Sequence, residues 1–131
     1  MTSLARLLSG PAEGGIYRAP AGAALVTIER AAERAGWRLA HVVGEPATDK
    51  RALMAAFQDA FGFPGWFGHN LDALADCLGD VAFEPGTLLV WDGADEFAAA
   101  DPATSRAVHA ILRQRSAAAS PARLLTLLRR P

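Results

Sequence analysis

Asp72, Asp76 and Asp80 stand four residues apart in the run LDALADCLGD. On an α-helix that spacing stacks their carboxylates on nearly one face. Groups so placed have two chemical uses: ligating a divalent cation, or presenting an anionic stripe to a basic partner. Adjacent turns of one helix supply too few convergent ligands alone, and the chain contains no HExxH, P-loop, CxxC pair or GxSxG pattern. Recognition is therefore expected rather than catalysis, with no metal and no cofactor.

The stripe is locally unfavourable. Like charges at this spacing cost a helix about 0.2 to 0.5 kcal/mol per pair, and Asp is a mediocre helix former. Asp72, second in the expected helix, regains something from the helix dipole, whereas Asp80 sits at the wrong end. A local rule broken without compensation points to function; the competing reading is a solvated acidic face. In the loop ahead of the helix, Trp66 and Phe67 lie between Gly65 and Gly68. An aromatic exposed beside carboxylates is an interface pattern, because aromatics anchor and charges steer. Phe67 suits the core equally well, Trp66 is the better candidate for exposure, and His69 reads as a loop histidine rather than a catalyst.

Charge placement strengthens the case. The net charge is only −1, from 13 Lys and Arg against 14 Asp and Glu. Yet no Lys or Arg occurs between Arg51 and Arg106, where Asp59, Asp72, Asp76, Asp80, Glu84, Asp92, Asp95, Glu96 and Asp101 all fall. Such a field repels a nucleic-acid backbone and attracts a basic protein surface, so direct nucleic-acid binding is not expected. Cys77 is the single cysteine; it fits a reducing cytoplasm and reads as a small buried hydrophobe. No stretch approaches the roughly 18 apolar residues of a spanning helix, and the N-terminal apolar run is too brief for a secretory signal. Membrane association is not expected.

The elements that must carry the stripe follow from periodicity. With 131 residues, 51% of them apolar, one domain with a real core is the default. Residues 3–8 suit a short helix, GPAEGG a turn-rich link, and Ile16 and Tyr17 a brief extended piece. Leu25, Ile28 and Ala32 recur at helical spacing over residues 23–35, and Gly36 stops them. Residues 37–43 (WRLAHVV) suit a strand. Thr48 offers a cap to a helix carrying Leu53, Met54, Phe57 and Phe61 on one stripe to about Ala60. Asn70 can cap the next helix through Leu78, with Leu71, Leu74 and Leu78 as its buried ridge and Gly79 closing it. TLLVW, residues 87–91, reads as a strand covered on both faces, and residues 92–97 as a turn with a short helical piece. Asp101 and Pro102 open a helix to about Ala118 lined by Val108, Ile111 and Leu112, and LLTLL, residues 124–128, is a third strand. The order strand, helix pair, strand, helix, strand implies an α/β fold with a small parallel sheet of about three strands and helices packed on it.

The run FPGWFGHNLDALADCLGD, residues 63–80, resembles the signature of the barstar family, intracellular inhibitors of barnase-type ribonucleases. Pro64, the aromatic pair, Gly68, Asn70-Leu71-Asp72-Ala73-Leu74 and Asp76-Cys77-Leu78 carry the resemblance in uninterrupted register. Residues 50–61, TLLVW, the Val108 helix and LLTLL fit the family's remaining elements in order. The resemblance implies a three-layered fold over residues 37–131, preceded by an N-terminal extension over residues 1–36 with its helix at about 23–35. It also implies an inhibitor whose second helix plugs the nuclease's substrate cleft. Asp72 and Asp76 match the two helix carboxylates that meet the nuclease's basic catalytic residues, and Trp66 matches a contact tyrosine. The expected contact surface is Trp66, Gly68, His69, Asn70, Asp72, Ala73, Asp76 and Asp80, facing a small basic ribonuclease or related nuclease. Two positions depart from the pattern: Ala75 stands where the family's best-known member has a tryptophan, and His69 where an acidic residue is found. They suggest a different nuclease, a weaker complex, or an interaction protein of the same fold with another basic partner.

Overall fold

In the computed structural model, which describes residues 4–9, 15–43, 49–65 and 67–130, helix α1 (Leu4–Ser9) and strand β1 (Ile16–Arg18) lead into α2 (Leu25–Arg34) and β2 (Arg38–Val43). Two helices, α3 (Lys50–Phe61) and α4 (Leu71–Gly79), then precede β3 (Gly86–Asp92). The chain ends with α5 (Ala94–Ala100), α6 (Pro102–Ala117) and β4 (Arg123–Arg129).

The strands form one parallel sheet in the order β1-β4-β3-β2. The sheet thus has four strands rather than the three expected from the sequence, because Ile16, Tyr17 and Arg18 pair with Thr126, Leu127 and Leu128 along the free edge of β4. A strand of three residues is too short to show a period of its own; only its partner reveals it. β3 lies between β2 and β4 and is buried at every position, as a continuous apolar run between two helical layers should be.

Alternation along β3 divides the core in two. On one face Leu89 and Trp91 meet Leu53, Met54 and Phe57 of α3, Leu74 and Leu78 of α4, Phe97 of α5, and Val108 and Leu112 of α6. On the other, Leu88 and Val90 meet Leu7 and Leu8 of α1 and Ile28 and Ala32 of α2. The architecture is three-layered, α/β/α. Each leucine buried here contributes about 1.5 to 3 kcal/mol, so α4 is anchored by its apolar ridge while its other face is left open.

The helix ends follow local rules. Asp49 caps α3, its carboxylate accepting from the Ala52 N–H at 2.8 Å; Thr48 lies outside the described residues. Gly62, at φ 69°, ends α3 in the left-handed conformation and donates its N–H to Gln58 O at 2.8 Å. Asp101 caps α6 through the Thr104 N–H at 3.1 Å, with Pro102 at the first helical position. Asp92 departs from the expectation of a turn: it is the last residue of β3. No described helix is long and apolar enough to cross a membrane.

Candidate functional site

A run of packed rings, the first pair stacked and the next two tilted, carries the chain from α3 to the start of α4. Phe61 lies 5.3 Å from Phe63, Phe63 lies 5.2 Å from Phe67, and Phe67 lies 5.1 Å from His69, measured between ring centroids. Contacts of this geometry add stability beyond area burial. Gln58 Nε2 donates to Pro64 O at 3.2 Å and the Phe67 N–H to Pro64 O at 2.9 Å, tying the loop back on itself. Phe67 is therefore a core residue, 3% exposed, and the other member of the aromatic pair, Trp66, lies outside the described residues.

The cap on α4 is built around Asn70. Its Oδ1 accepts from the Ala73 N–H at 2.8 Å, while its Nδ2 donates to Gly68 O at 3.3 Å. A Cβ at Gly68 would lie 2.9 Å from Asn70 Nδ2, so a larger residue there would make the capping amide shift. His69 sits between them at φ 53°, a left-handed conformation uncommon outside glycine. Its half-buried ring rests on Phe67 instead of standing free in solvent.

Leu74, Cys77 and Leu78 face inward from α4, Leu71 and Ala73 are half-buried, and Asp72, Asp76 and Asp80 are exposed with Ala75. Among the described residues no cation pairs with any of the three carboxylates, so their charge is uncompensated. Cys77 reports that field: burial raises its thiol pKa first, and the charges of Asp80 and Asp76 raise it further. The thiol is thus held protonated and inert, as the sequence reading of a small hydrophobe requires.

The C-terminal end of α4 is held by Arg115, which sequence gave no reason to single out. Its Nε donates to Leu78 O at 2.7 Å and its Nη2 to Val81 O and Ala122 O, both at 2.8 Å. Nη1 donates to Ala118 O at 3.1 Å. A guanidinium buried without a carboxylate is supported here by carbonyl oxygens, which its five fixed donors suit. Burial lowers its pKa from the ordinary value, and the cation still complements the negative end of the helix dipole. α4 is thereby fixed at both ends before any partner arrives.

The remaining acids of the central stretch separate into paired and unpaired groups. Asp92, buried, receives Arg129 Nε at 2.9 Å, Arg129 Nη2 at 2.8 Å and His41 Nε2 at 2.7 Å. Asp95 receives Arg18 and Arg130 at 3.0 to 3.2 Å. The Arg18 hydrogen bonds hold the Asp95 carboxyl below its usual range, burial partly opposes them, and Arg130 adds to the lowering. Asp101 is occupied as a cap. The uniformly acidic middle read from the sequence is therefore partly neutralised by arginines from outside it. Asp59 of α3, Glu84 of the loop before β3 and Glu96 of α5 are exposed and apart in sequence, so the stripe of α4 is where uncompensated charge is aligned at regular spacing. Among the described residues, no group of three or more His, Cys, Asp or Glu side chains is arranged to hold a metal ion.

Comparison with known proteins bears on this site. No curated protein sequence matches the chain. Among solved structures, the chain is similar to the ORC2 protein of Aeropyrum pernix, described in ADPNP and ADP complexes, with a TM-score of 0.54 and 18% identity. The match covers 96% of this chain and 37% of that one, and at this identity it shows a shared fold alone. The family model described as barstar, the barnase inhibitor, matches residues 37–127, a span that includes β2, the aromatic loop, α4 and most of β4. With that model matching well over half of its length, the chain belongs to the barstar family.

Proposed function

We propose that this chain is a cytoplasmic inhibitor of a barnase-type ribonuclease and that α4 blocks the enzyme's basic RNA-binding site. The observation that carries the reading is the row of Asp72, Asp76 and Asp80, exposed and without a cationic partner among the described residues, on a helix held at both ends. A site built to bind RNA phosphates binds carboxylates in the same positions, through charge-assisted hydrogen bonds from arginine and lysine. Pre-fixing the helix spares the complex the cost of ordering it. The contact surface comprises Trp66, Gly68, His69, Asn70, Asp72, Ala73, Asp76 and Asp80. Residues 37–131 form the inhibitor domain, and residues 1–36 are an extension that adds β1 to the edge of its sheet beside β4 and packs α1 and α2 on one face. The protein is not an enzyme and needs no cofactor.

Truncation separates the site from its surroundings. Asp76→Ala weakens the complex by more than about 2 kcal/mol, as loss of a desolvated hot spot does, whereas Asp59→Ala on α3 costs little. Equal effects of the two would place the interface elsewhere. Raising salt lowers the association rate more than it raises dissociation, because screening acts on encounter; a salt-independent on-rate contradicts the steering. One observation favours a second reading: Ala75 is exposed beside Asp76 and offers little anchor area, which suits a different basic partner, such as another nuclease toxin or a regulator. Folded protein that fails to inhibit the ribonuclease selects that reading.

A further inference from the structure

On the far side of α6 from α4, the surface carries the opposite charge. Arg106, His109 and Arg113 recur at intervals of three and four along α6 and so share one face. That face borders two adjoining depressions, of 520 Å³ and 370 Å³, which share Arg18 of β1, His109 and Arg113. Ile16 and Leu128 line the first, Asp95 and Arg106 the second.

We propose that this cleft between β1, α5 and α6 is a binding site for a small multivalent phosphate. The basic side chains of α6 do not stand alone on a convex helix: with Arg18 of β1 they border two shallow, open depressions into which a small ligand can settle. Around the cleft three guanidinium groups stand against one carboxylate, Asp95, and both oxygens of that carboxylate are already engaged by Arg18 and Arg130. Arg106 and Arg113 have no acidic partner among the described residues. The fork of Arg18 is set in place by its two bonds to Asp95, at 3.0 and 3.1 Å, and keeps further donors for a ligand. His109 Nδ1 donates to Ser105 O at 2.8 Å, so Nε2 of this ring, 5.4 Å from Trp91, accepts from a protonated phosphate oxygen when neutral and donates to a phosphate oxygen when the ring is charged. Planar guanidinium forks bind phosphate oxygens in pairs, and several forks on one cleft favour an anion with more than one charged group, the chemistry of a diphosphate. Nothing in this arrangement involves the carboxylates of α4, so its fate is independent of ribonuclease inhibition.

The test is calorimetric titration of the whole chain with inorganic pyrophosphate at physiological ionic strength. Arg106→Gln/Arg113→Gln is run beside it, with Arg30→Gln/Arg34→Gln on the exposed face of α2 as a charge-matched control. All four positions are exposed, so the variants should fold, and circular dichroism verifies it. The site predicts saturable 1:1 binding by the unaltered chain, weakened at least about tenfold in the α6 variant and unchanged in the α2 variant. Absence of saturable binding by the unaltered chain, or equal weakening in both variants, overturns it.

Discussion

Replacing Asp76 by Asn should make the free protein more stable while it weakens the proposed complex. Asp76 lies four residues from Asp72 on one side and from Asp80 on the other, all exposed and without a cation among the described residues. Two like-charge pairs are relieved by one isosteric change, at about 0.2 to 0.5 kcal/mol each, giving about 0.4 to 1 kcal/mol. Asn and Asp have similar helix propensities, so the difference is electrostatic. For a domain of this size the gain corresponds to about 1 to 5 °C in Tm. Urea unfolding at low salt measures it, and repetition near 1 M salt, where the Debye length falls to about 3 Å, should erase most of it. A second readout lies one residue away: because the Asp76 charge helps to raise the Cys77 thiol, Asp76→Asn should bring the thiol's titration, followed by thiolate absorbance, back toward its ordinary value. Unchanged or reduced stability at low salt, or a gain that survives high salt, would refute the argument that α4 carries uncompensated repulsion.

Other perturbations test the supports of the site. Arg115→Met leaves the carbonyls of Leu78, Val81 and Ala122 without their donors and should cost at least about 3 kcal/mol in urea unfolding, with hydrogen exchange rising in the last turn of α4. Asn70→Ala should cost about 1 kcal/mol through the lost cap. Gly68→Ala should cost less, because its Cβ crowds only the Asn70 Nδ2 and not the capping Oδ1; a neutral result for Asn70→Ala would show that the cap does not hold α4. The depressed Asp95 carboxyl binds its proton less readily folded than unfolded, so its contribution is present above the unfolded pKa and is lost as pH falls from about 4 downward. Asp95→Asn should flatten that part of the stability profile, measured by urea midpoints across the acid range.

How far the chain declares itself depends on the range of the interaction. The caps at Asn70 and Asp101, the apolar stripes of α3 and α4, and the continuous run of β3 are decided within a few residues, and all stand as local rules predict. The acidic stripe was legible for the same reason, since helical spacing alone aligns it. β1 was seen only as an extended piece, because its membership of the sheet depends on β4 at the other end of the chain. Arg115 resembles any basic residue near a helix C-terminus until the loops that surround it with carbonyls are in place. The neutralisation of Asp95 by Arg18 joins residues 77 positions apart, and that of Asp92 by Arg129 joins residues 37 apart. No periodicity anticipates either pair. In the loop, composition left Phe67 equally suited to core and surface, and packing against Phe63 decides for the core; only His69, read as a solvated loop residue, departs from expectation, its ring drawn onto Phe67.

The central claim is that the α4 carboxylates stand in for RNA phosphates in a nuclease cleft. Titrating the purified protein into a barnase-type ribonuclease assay, alongside the Asp72→Ala/Asp76→Ala double variant, tests activity and site together. The account predicts stoichiometric inhibition by the unaltered chain and its loss in the variant, with both proteins folded. Inhibition retained by the variant, or none from the folded unaltered chain, would contradict it.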